Sequence, residues 1–272
     1  MNHVTLNNKL EMPQLGFGVW QVDNDQAAAA VTTALNTGYT SIDTAMIYKN
    51  EEGVGQALKE TSVPREDLFI TTKVWNADQG YDNTLRAFDE SLERLGLDYV
   101  DLYLIHWPLP ERRLFISAWE KLIDARSAGL ARSIGVANFL PQHLDLIQDE
   151  TGTNPSVNQF ELHPTHQVEE IINHCTDNRI AVEAYAPLGN ATDLGHPTIT
   201  RIAEETGSTP AQVILAWHMA RGFIAIPKSG TPERIHQNLA AARIRLPSWA
   251  LEEIDGMHTG TDKVWGDPLD VN

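Results

Sequence analysis

Short apolar runs alternate with longer amphipathic segments along almost the whole chain. Eight of these runs have the length and composition of buried strands. They lie at residues 15–19, 40–43, 68–72, 100–106, 132–136, 157–162, 180–184 and 223–226. The segments between them repeat apolar residues at helical spacing, as in Leu85, Phe88, Leu92 and Leu95. The pattern predicts eight strands alternating with helices.

Polar residues and glycines mark the ends of several predicted helices. Thr209 and Thr231 each precede a proline, the order typical of an N-cap followed by the first helical residue. Asn50 stands before two glutamates, which favour a first helical turn. Glycines follow four amphipathic segments, where a left-handed residue ends a helix; these are Gly38, Gly96, Gly129 and Gly222.

Eight β/α units in one chain of this length favour an α/β fold of the (β/α)8 TIM-barrel type, with residues 1–272 forming a single domain. An open doubly wound sheet is the alternative. Its usual nucleotide-binding motif is incomplete, because Gly16 and Gly18 are followed by Gln21 rather than a third glycine. Residues 4–12 alternate around Asn7 and Asn8, which predicts an N-terminal β-hairpin at the base of the barrel.

Charge and composition exclude several classes of protein. The 37 acidic and 20 basic residues give a net charge of −17, which disfavours binding to nucleic acid or to an anionic membrane. No apolar run approaches the ~18 residues of a membrane span, and no secretory signal pattern is present. One cysteine, Cys175, allows no internal disulfide. We therefore expect a cytoplasmic protein.

Polar or ionisable residues stand at or just beyond most predicted strand ends. In a parallel barrel these ends meet at one rim, where the chemistry of such folds is found. The residues are Asp43, Lys73, His106, Asn138, Gln159, Tyr185 and Lys228. Their common position predicts one shared site.

Three residues of this rim, together with Tyr48 in the loop after the second predicted strand, suit proton delivery to a carbonyl oxygen. A phenol such as Tyr48 has a pKa of about 10, and a neighbouring ammonium lowers it. We expect Lys73 to play that part, held in place by Asp43, while His106 orients the substrate oxygen. No side chain donates hydride, so a cofactor is required.

The rim residues occur in motifs that resemble those of the aldo-keto reductase family, in particular its compact bacterial members such as 2,5-diketo-D-gluconate reductases. Seven motifs follow in order at residues 38–48, 70–75, 101–108, 133–139, 158–164, 185–189 and 226–229. The resemblance implies a catalytic tetrad in which Tyr48 is the acid, Lys73 its partner, Asp43 the anchor of the lysine, and His106 the group that orients the carbonyl.

The same resemblance implies an NADPH (NADP+) site. Asn138 and Gln159 would bind the nicotinamide carboxamide, and Tyr185 would stack on its ring. The pyrophosphate would pass Pro187, Leu188 and Gly189. The 2′-phosphate and adenine would lie at Lys228, Ser229, Arg234 and Asn238. A predicted helix N-terminus at this point also favours an anion on physical grounds. Gly230 and Gln237 depart from the family pattern, so the strength of the NADPH preference stays open.

Three tryptophans follow predicted strand ends and are expected to form the substrate pocket: Trp20, Trp75 and Trp107. Trp265 would help to close it. Glu183 shares a strand face with Tyr185, and we expect it to be a hydrogen-bonded structural group. His163, His166 and Glu161 lack the spacing of a metal site, so we expect no bound metal.

The predicted function is NADPH-dependent reduction of aldehydes or ketones by a monomer, with hydride transfer from nicotinamide and Tyr48 as general acid. Short loops after His106 and Gly189 suggest small polar carbonyls, α-dicarbonyls or keto-sugar acids such as 2,5-diketo-D-gluconate. Two alternatives remain open from the sequence. One is a lyase that forms a Schiff base on Lys73. The other is a non-catalytic protein that senses nicotinamide on the same fold.

Overall fold

The computed structural model describes residues 2–260 and 263–264. Within them the strands are β1 His3–Thr5, β2 Glu11–Pro13, β3 Phe17–Gly18, β4 Ser41–Asp43, β5 Phe69–Val74, β6 Val100–Ile105, β7 Ala131–Ala137, β8 Val157–Glu161, β9 Ala181–Tyr185 and β10 Ile224–Ala225. The α-helices are α1 Asn24–Thr37, α2 Glu51–Glu60, α3 Tyr81–Leu95, α4 Leu114–Ser127, α5 Pro141–Thr151, α6 Glu169–Asp177, α7 Pro197–Thr206, α8 Pro210–Ala220, α9 Pro232–Ala240 and α10 Ser248–Asp255.

Strands β3 to β10 form one parallel sheet in chain order, and the sheet closes on itself. The Gly16 N–H donates to the Ala225 carbonyl at 2.9 Å, and the Gly18 N–H donates to the Pro227 carbonyl at 3.2 Å. These bonds join the first and last strands of the sheet. The (β/α)8 prediction is confirmed, and the open-sheet alternative is wrong.

The predicted N-terminal hairpin is present and lies at the base of the barrel. Strand β1 pairs antiparallel with β2. Asn7 Nδ2 donates to the Pro155 carbonyl at 2.8 Å, and Asn8 Nδ2 donates to the Arg132 carbonyl at 3.0 Å, both near the starts of barrel strands. Leu6 and Met12 are buried in a cluster with apolar barrel residues such as Leu102. The hairpin therefore covers the bottom of the barrel with apolar surface.

Of two residues at predicted helix starts, Thr209 caps its helix and Asn50 does not. Thr209 forms a capping box: its hydroxyl accepts from the Gln212 N–H at 3.3 Å, and the Gln212 side chain accepts from the Thr209 N–H at 3.0 Å. Asn50 does not cap α2. Its buried side chain instead accepts from Thr44 and donates to the Val19 and Val22 carbonyls. Asn50 thus ties two loops at the rim together.

Among the helices described, none is long and apolar enough to cross a membrane. The barrel strands themselves are almost wholly buried, since β5 and β6 are covered on both faces. The polar side chains at their C-terminal ends are therefore held by a rigid, water-excluded scaffold.

Candidate active site

One pocket of about 880 Å³ opens at the C-terminal end of the barrel. It brings together nearly all of the residues predicted for the site, although they come from widely separated parts of the sequence. Those that line it are Trp20, Asp43, Tyr48, Trp75, His106, Trp107, Asn138, Gln159, Tyr185, Pro187, Leu188, Lys228, Ser229, Arg234 and Asn238. Two predicted residues, Lys73 and Gly189, lie outside this lining.

Lys73 lies fully buried behind the pocket wall. Its Nζ donates to Asp43 Oδ1 at 2.5 Å and to the Thr44 carbonyl at 2.9 Å. Burial lowers the pKa of this ammonium, but the neighbouring carboxylate of Asp43 and the Tyr48 phenol outweigh burial and raise it above the ordinary value. Lys73 is therefore a charged group with its hydrogens directed at fixed acceptors.

Tyr48 lies at the end of a short 3₁₀ turn, Met46–Tyr48, directly after β4. Lys73 Nζ lies 5.3 Å from the centre of its ring. Burial raises the pKa of the phenol, and Lys73 opposes that rise without cancelling it, so the pKa lies above the ordinary value. The expectation of a lowered pKa is wrong for this structure, because loss of hydration outweighs the ammonium. The phenol holds its proton at neutral pH and can donate it.

His106 follows β6 and faces the same part of the pocket. Its ring contacts Tyr48 and Trp75 edge-on, with ring centres 5.8 Å and 5.1 Å apart. Burial, and then the positive charge of Lys73, hold the pKa of His106 well below its usual range. The imidazole is therefore neutral and offers one N–H to a substrate oxygen without adding charge.

Asn138 and Gln159 form a donor–acceptor pair beside this group. Asn138 Oδ1 accepts from the Tyr185 hydroxyl at 2.8 Å, and Asn138 Nδ2 donates one hydrogen to the backbone carbonyl of His106 at 3.0 Å. Gln159 Nε2 uses both hydrogens on the carboxyl groups of Asp43 and Glu183. Among the described residues, one N–H of Asn138 and the side-chain oxygen of Gln159 have no further partner. These two groups match the oxygen and the NH₂ of a primary carboxamide such as that of nicotinamide.

The backbone fixes the first member of this pair. Asn138 follows β7 with a φ of 63°, in the left-handed region that asparagine tolerates. Its backbone N–H donates to the backbone carbonyl of Gln159 at 2.8 Å. The strained residue therefore holds its side chain beside the neighbouring strand β8, which supplies the other amide.

The far end of the pocket carries positive charge. Lys228 and Arg234 are exposed, and Ser229 and Asn238 are buried beside them. Helix α9 begins at Pro232, so its N-terminal dipole points at the same place. Arg234 Nη2 donates to the Thr231 hydroxyl at 2.6 Å, which holds the guanidinium over this turn. The group fits the phosphate end of a dinucleotide.

Gly189 supports the pocket from behind. It begins the 3₁₀ segment Gly189–Ala191 with a φ of 58°, and a side chain there would meet His163 and Asp193. The pocket surface at this point is formed instead by Asn190, Ala191 and Leu194. Gly189 itself does not line the pocket, and its place on the pyrophosphate path stays a prediction.

The histidine that anchors this segment contacts two acids. His163 Nδ1 lies 2.9 Å from Asp193 Oδ2, and Nε2 lies 3.2 Å from Glu161 Oε1. Burial disfavours the imidazolium, but the bonds to Asp193 and Glu161 outweigh it and raise the pKa of His163 to about 9. The three groups form a clasp between the loops that follow β8 and β9.

Several functional neighbours escaped the sequence analysis. Ile47, Asn190, Leu194 and Thr209 line the pocket without having been predicted for it, and Gln237, a departure from the family pattern, lines it as well. Their positions depend on loop conformations that local patterns do not encode. Trp20, Trp75 and Trp107 all line the pocket, whereas Trp265 falls outside the described residues.

This barrel brings a phenol, an ammonium, an imidazole and a carboxamide-binding pair together around one pocket. These are the groups that nicotinamide-dependent carbonyl reduction needs. Comparison with known proteins agrees with this class. The chain belongs to the aldo/keto reductase family, whose model matches residues 14–258. The resemblance noted in the sequence motifs is confirmed.

Three similar proteins illustrate the relationship. The chain is 47% identical to an aldo-keto reductase of Mycolicibacterium smegmatis over 99% of this chain and 98% of that protein. It is 47% identical to methylglyoxal reductase DkgA of Yersinia pestis over 92% of this chain and 90% of that protein. The crystal structure of a Gox0644 mutant in complex with NADPH superposes on this chain with a TM-score of 0.96, and the two sequences are 39% identical. The match covers 100% of this chain and 98% of that one.

Proposed function

We propose that this enzyme uses NADPH to reduce small α-dicarbonyl compounds, with methylglyoxal as the representative substrate, and that it also accepts keto-sugar acids such as 2,5-diketo-D-gluconate. The observation that carries the proposal is the convergence of Tyr48, His106 and the carboxamide-binding pair on one pocket walled by three tryptophans. Relatives named methylglyoxal reductase DkgA support the choice of substrate.

The chain's own groups divide the work of the reaction. Bound NADPH supplies the hydride for the carbonyl carbon. The His106 N–H and the Tyr48 hydroxyl hold the carbonyl oxygen, and Tyr48 gives its proton to that oxygen as charge develops there. Lys73 stabilises the phenolate left behind, and Asp43 keeps the ammonium in place. The phenolate then recovers a proton from water as the alcohol leaves.

The geometry disfavours the lyase alternative. Schiff-base formation needs an uncharged amine in reach of substrate. The Lys73 ammonium is buried, bonded to Asp43 and Thr44, and has a raised pKa. The non-catalytic alternative finds no support in the site, since every member of the predicted tetrad is present and lies with the others.

We also propose that the enzyme acts as a monomer in the cytoplasm. The proposal is supported by the presence of all four tetrad residues and both carboxamide-binding residues in one chain, where they lie at one site. Sedimentation of the purified protein at low and high concentration tests the monomer, and a dimer that persists on dilution would contradict it.

The test of the function is loss of NADPH absorbance with purified protein and a panel of methylglyoxal, other α-dicarbonyls, simple aldehydes and keto-sugar acids. We expect turnover with NADPH, highest for α-dicarbonyls. Tyr48→Phe should abolish turnover while cofactor binding, followed by fluorescence, is kept. Turnover by Tyr48→Phe at the wild-type rate would contradict the acid assignment. A wild-type enzyme that binds NADPH and reduces no α-dicarbonyl would contradict the substrate class.

A further inference from the structure

Two buried carboxyl groups share one amide nitrogen at the floor of the pocket. Glu183 on β9 is fully buried, and its Oε2 accepts from Gln159 Nε2 at 2.8 Å. Asp43 Oδ2 accepts from the same nitrogen at 2.9 Å. The Asp43 carboxylate accepts from the Gln159 amide, so the amide presents its NH₂ to this side, and the same nitrogen also donates to Glu183. The Gln159 oxygen is thereby left for the pocket.

We propose that Glu183 is a positioning residue that fixes the Gln159 amide together with Asp43 and that, through its own charge, sets the relative affinity of the site for oxidised and reduced nicotinamide. This inference rests on the cofactor site proposed above. It gives Glu183 a part in the reaction that differs from the structural role expected from the sequence.

The groups around Glu183 do not balance a second negative charge. On its own strand, Tyr185 follows two residues later. Ile224 of β10 is its partner in the neighbouring strand and carries no charge. The charged or titratable groups that face it from the other elements are Asp43 of β4, Tyr48 of the following turn and Lys73 of β5. One ammonium therefore serves two carboxyl groups, and Asp43 already binds it.

The second carboxyl oxygen of Glu183, Oε1, shows the effect of this shortage of positive charge and donors. Among the described residues none donates to Oε1, which is buried. A buried carboxylate needs donors on both oxygens, whereas the neutral acid is tolerated with fewer. Burial and then the charge of Asp43 raise the pKa of Glu183 to about 8, and the Gln159 bond and Lys73 offset only part of this rise. Glu183 is thus neutral at pH 7 and becomes charged in mildly alkaline solution.

The two forms of the cofactor sense this charge differently. The oxidised nicotinamide ring is positive and the reduced ring is neutral. An ionised Glu183 therefore stabilises the oxidised form, and binding of that form lowers the pKa of Glu183 and releases a proton. The dissociation constant for NADP+, divided by that for NADPH, must then fall as pH rises through about 8. The 2′-phosphate is common to both forms, so its titration cancels in the ratio.

The experiment measures both dissociation constants by tryptophan fluorescence between pH 6.5 and 9.5. For wild type and for Tyr48→Phe we expect the ratio to fall by ~3- to 10-fold across this range. For Glu183→Gln the ratio should stay constant. Glu51→Gln is the matched control: Glu51 is also buried, but it bonds to Thr72 and Arg94 outside the pocket, and this variant should follow wild type.

The outcomes separate the possibilities. A constant ratio in wild type, or an unchanged fall in Glu183→Gln, overturns the role of Glu183. A fall that disappears in Tyr48→Phe assigns the titration to the phenol and also overturns it. If Glu183→Gln does not fold by circular dichroism, the wild-type and Tyr48→Phe curves still decide. Absence of NADPH binding by wild type at pH 7 instead overturns the cofactor site itself.

Discussion

The two ends of the barrel hold buried carboxyl groups in opposite ways. At the base, Asp101 of β6 is fully buried and accepts from Arg65 at 2.8 Å, from Arg132 at 2.9 Å and from the Ile70 N–H at 2.9 Å. We call this set the base cluster. At the rim, Asp43 and Glu183 share one lysine and one glutamine. We call Asp43, Lys73, Glu183 and Gln159 the rim cluster.

The difference lies in the number of donors for each carboxyl group. The base cluster supplies donors to both oxygens and two positive charges for one negative charge. The rim cluster supplies too few donors, and one of its acids remains uncharged. A shortage of partners costs stability but creates groups that move protons within the working range of pH. The same residue types therefore serve structure at one end and chemistry at the other.

The same substitution made at both ends tests this contrast. Asp43→Asn removes the carboxylate that anchors Lys73, and kcat/KM should fall by ~100- to 1000-fold because the ammonium that stabilises the Tyr48 phenolate is no longer held in place. Steady-state kinetics with NADPH give this value. The free energy of unfolding should change by less than ~1 kcal/mol, since Glu183 can ionise and replace the negative charge that is lost near the ammonium. Urea unfolding checks this, and a much larger loss would show that Glu183 does not substitute.

Asp101→Asn should give the reverse result. Two guanidinium groups lose their shared anion, although both are partly exposed and recover some hydration. We expect the free energy of unfolding to fall by about 3 kcal/mol, with kcat/KM at 25 °C within about 3-fold of wild type. Urea unfolding and kinetics on the same preparation measure both quantities. A large loss of activity in a folded protein would contradict the division between the two ends.

The sequence predicted which rim residues would meet because parallel strands of a barrel end at one face, whatever their separation in the chain. It did not predict how those residues bond. Gln159 and Asp43 are joined by a single hydrogen bond across 116 positions, and no local pattern contains it. The pKa of Tyr48 depends on burial by the complete fold, which is why the expected direction was wrong.

Local signals failed where tertiary contacts offered a polar side chain a better partner. Asn50 has the position of an N-cap, yet its amide bonds to two loop carbonyls and to Thr44. Thr209 has fewer alternatives and caps α8 as expected. Element type therefore follows from the periodic pattern, whereas the partner of a given polar group is decided by the assembled barrel.

The clasp of His163, Asp193 and Glu161 sharpens the comparison. It also lies at the rim, but each of its two acids has a hydrogen-bond partner in His163. The pKa of His163 is about 9 in the folded protein and about 6.5 when unfolded. The free energy that the charged His163 adds to the folded state is therefore fully present below the unfolded pKa of about 6.5, and it is lost as pH rises through about 9.

Urea unfolding of wild type and His163→Gln at pH 6 and pH 9.5 measures this loss. The stability advantage of wild type should be about 3 kcal/mol larger at pH 6. The titration of Glu183 is present in both proteins and cancels. An advantage that is the same at both pH values would mean that the imidazole is neutral, and the clasp would then resemble the rim cluster more than the base cluster.

The smallest predicted effect concerns the far end of the pocket, where charge is exposed rather than buried. Arg234 lies in the first turn of α9 with its guanidinium held by Thr231. Arg234→Gln should reduce the preference for NADPH over NADH by ~5- to 10-fold, because one charged hydrogen-bond donor to the 2′-phosphate is lost in a hydrated setting.

Kinetics with each cofactor give this ratio, and KM for NADH should remain unchanged. Arg243→Gln, an exposed arginine outside the pocket, is the matched control and should behave as wild type. Added salt should weaken NADPH binding by the wild type more than by Arg234→Gln, since exposed charges are screened. An equal loss of affinity for NADH and NADPH in Arg234→Gln would assign the guanidinium to the shared pyrophosphate. The far end would then lack the specificity proposed for it, while the contrast between base and rim would stand.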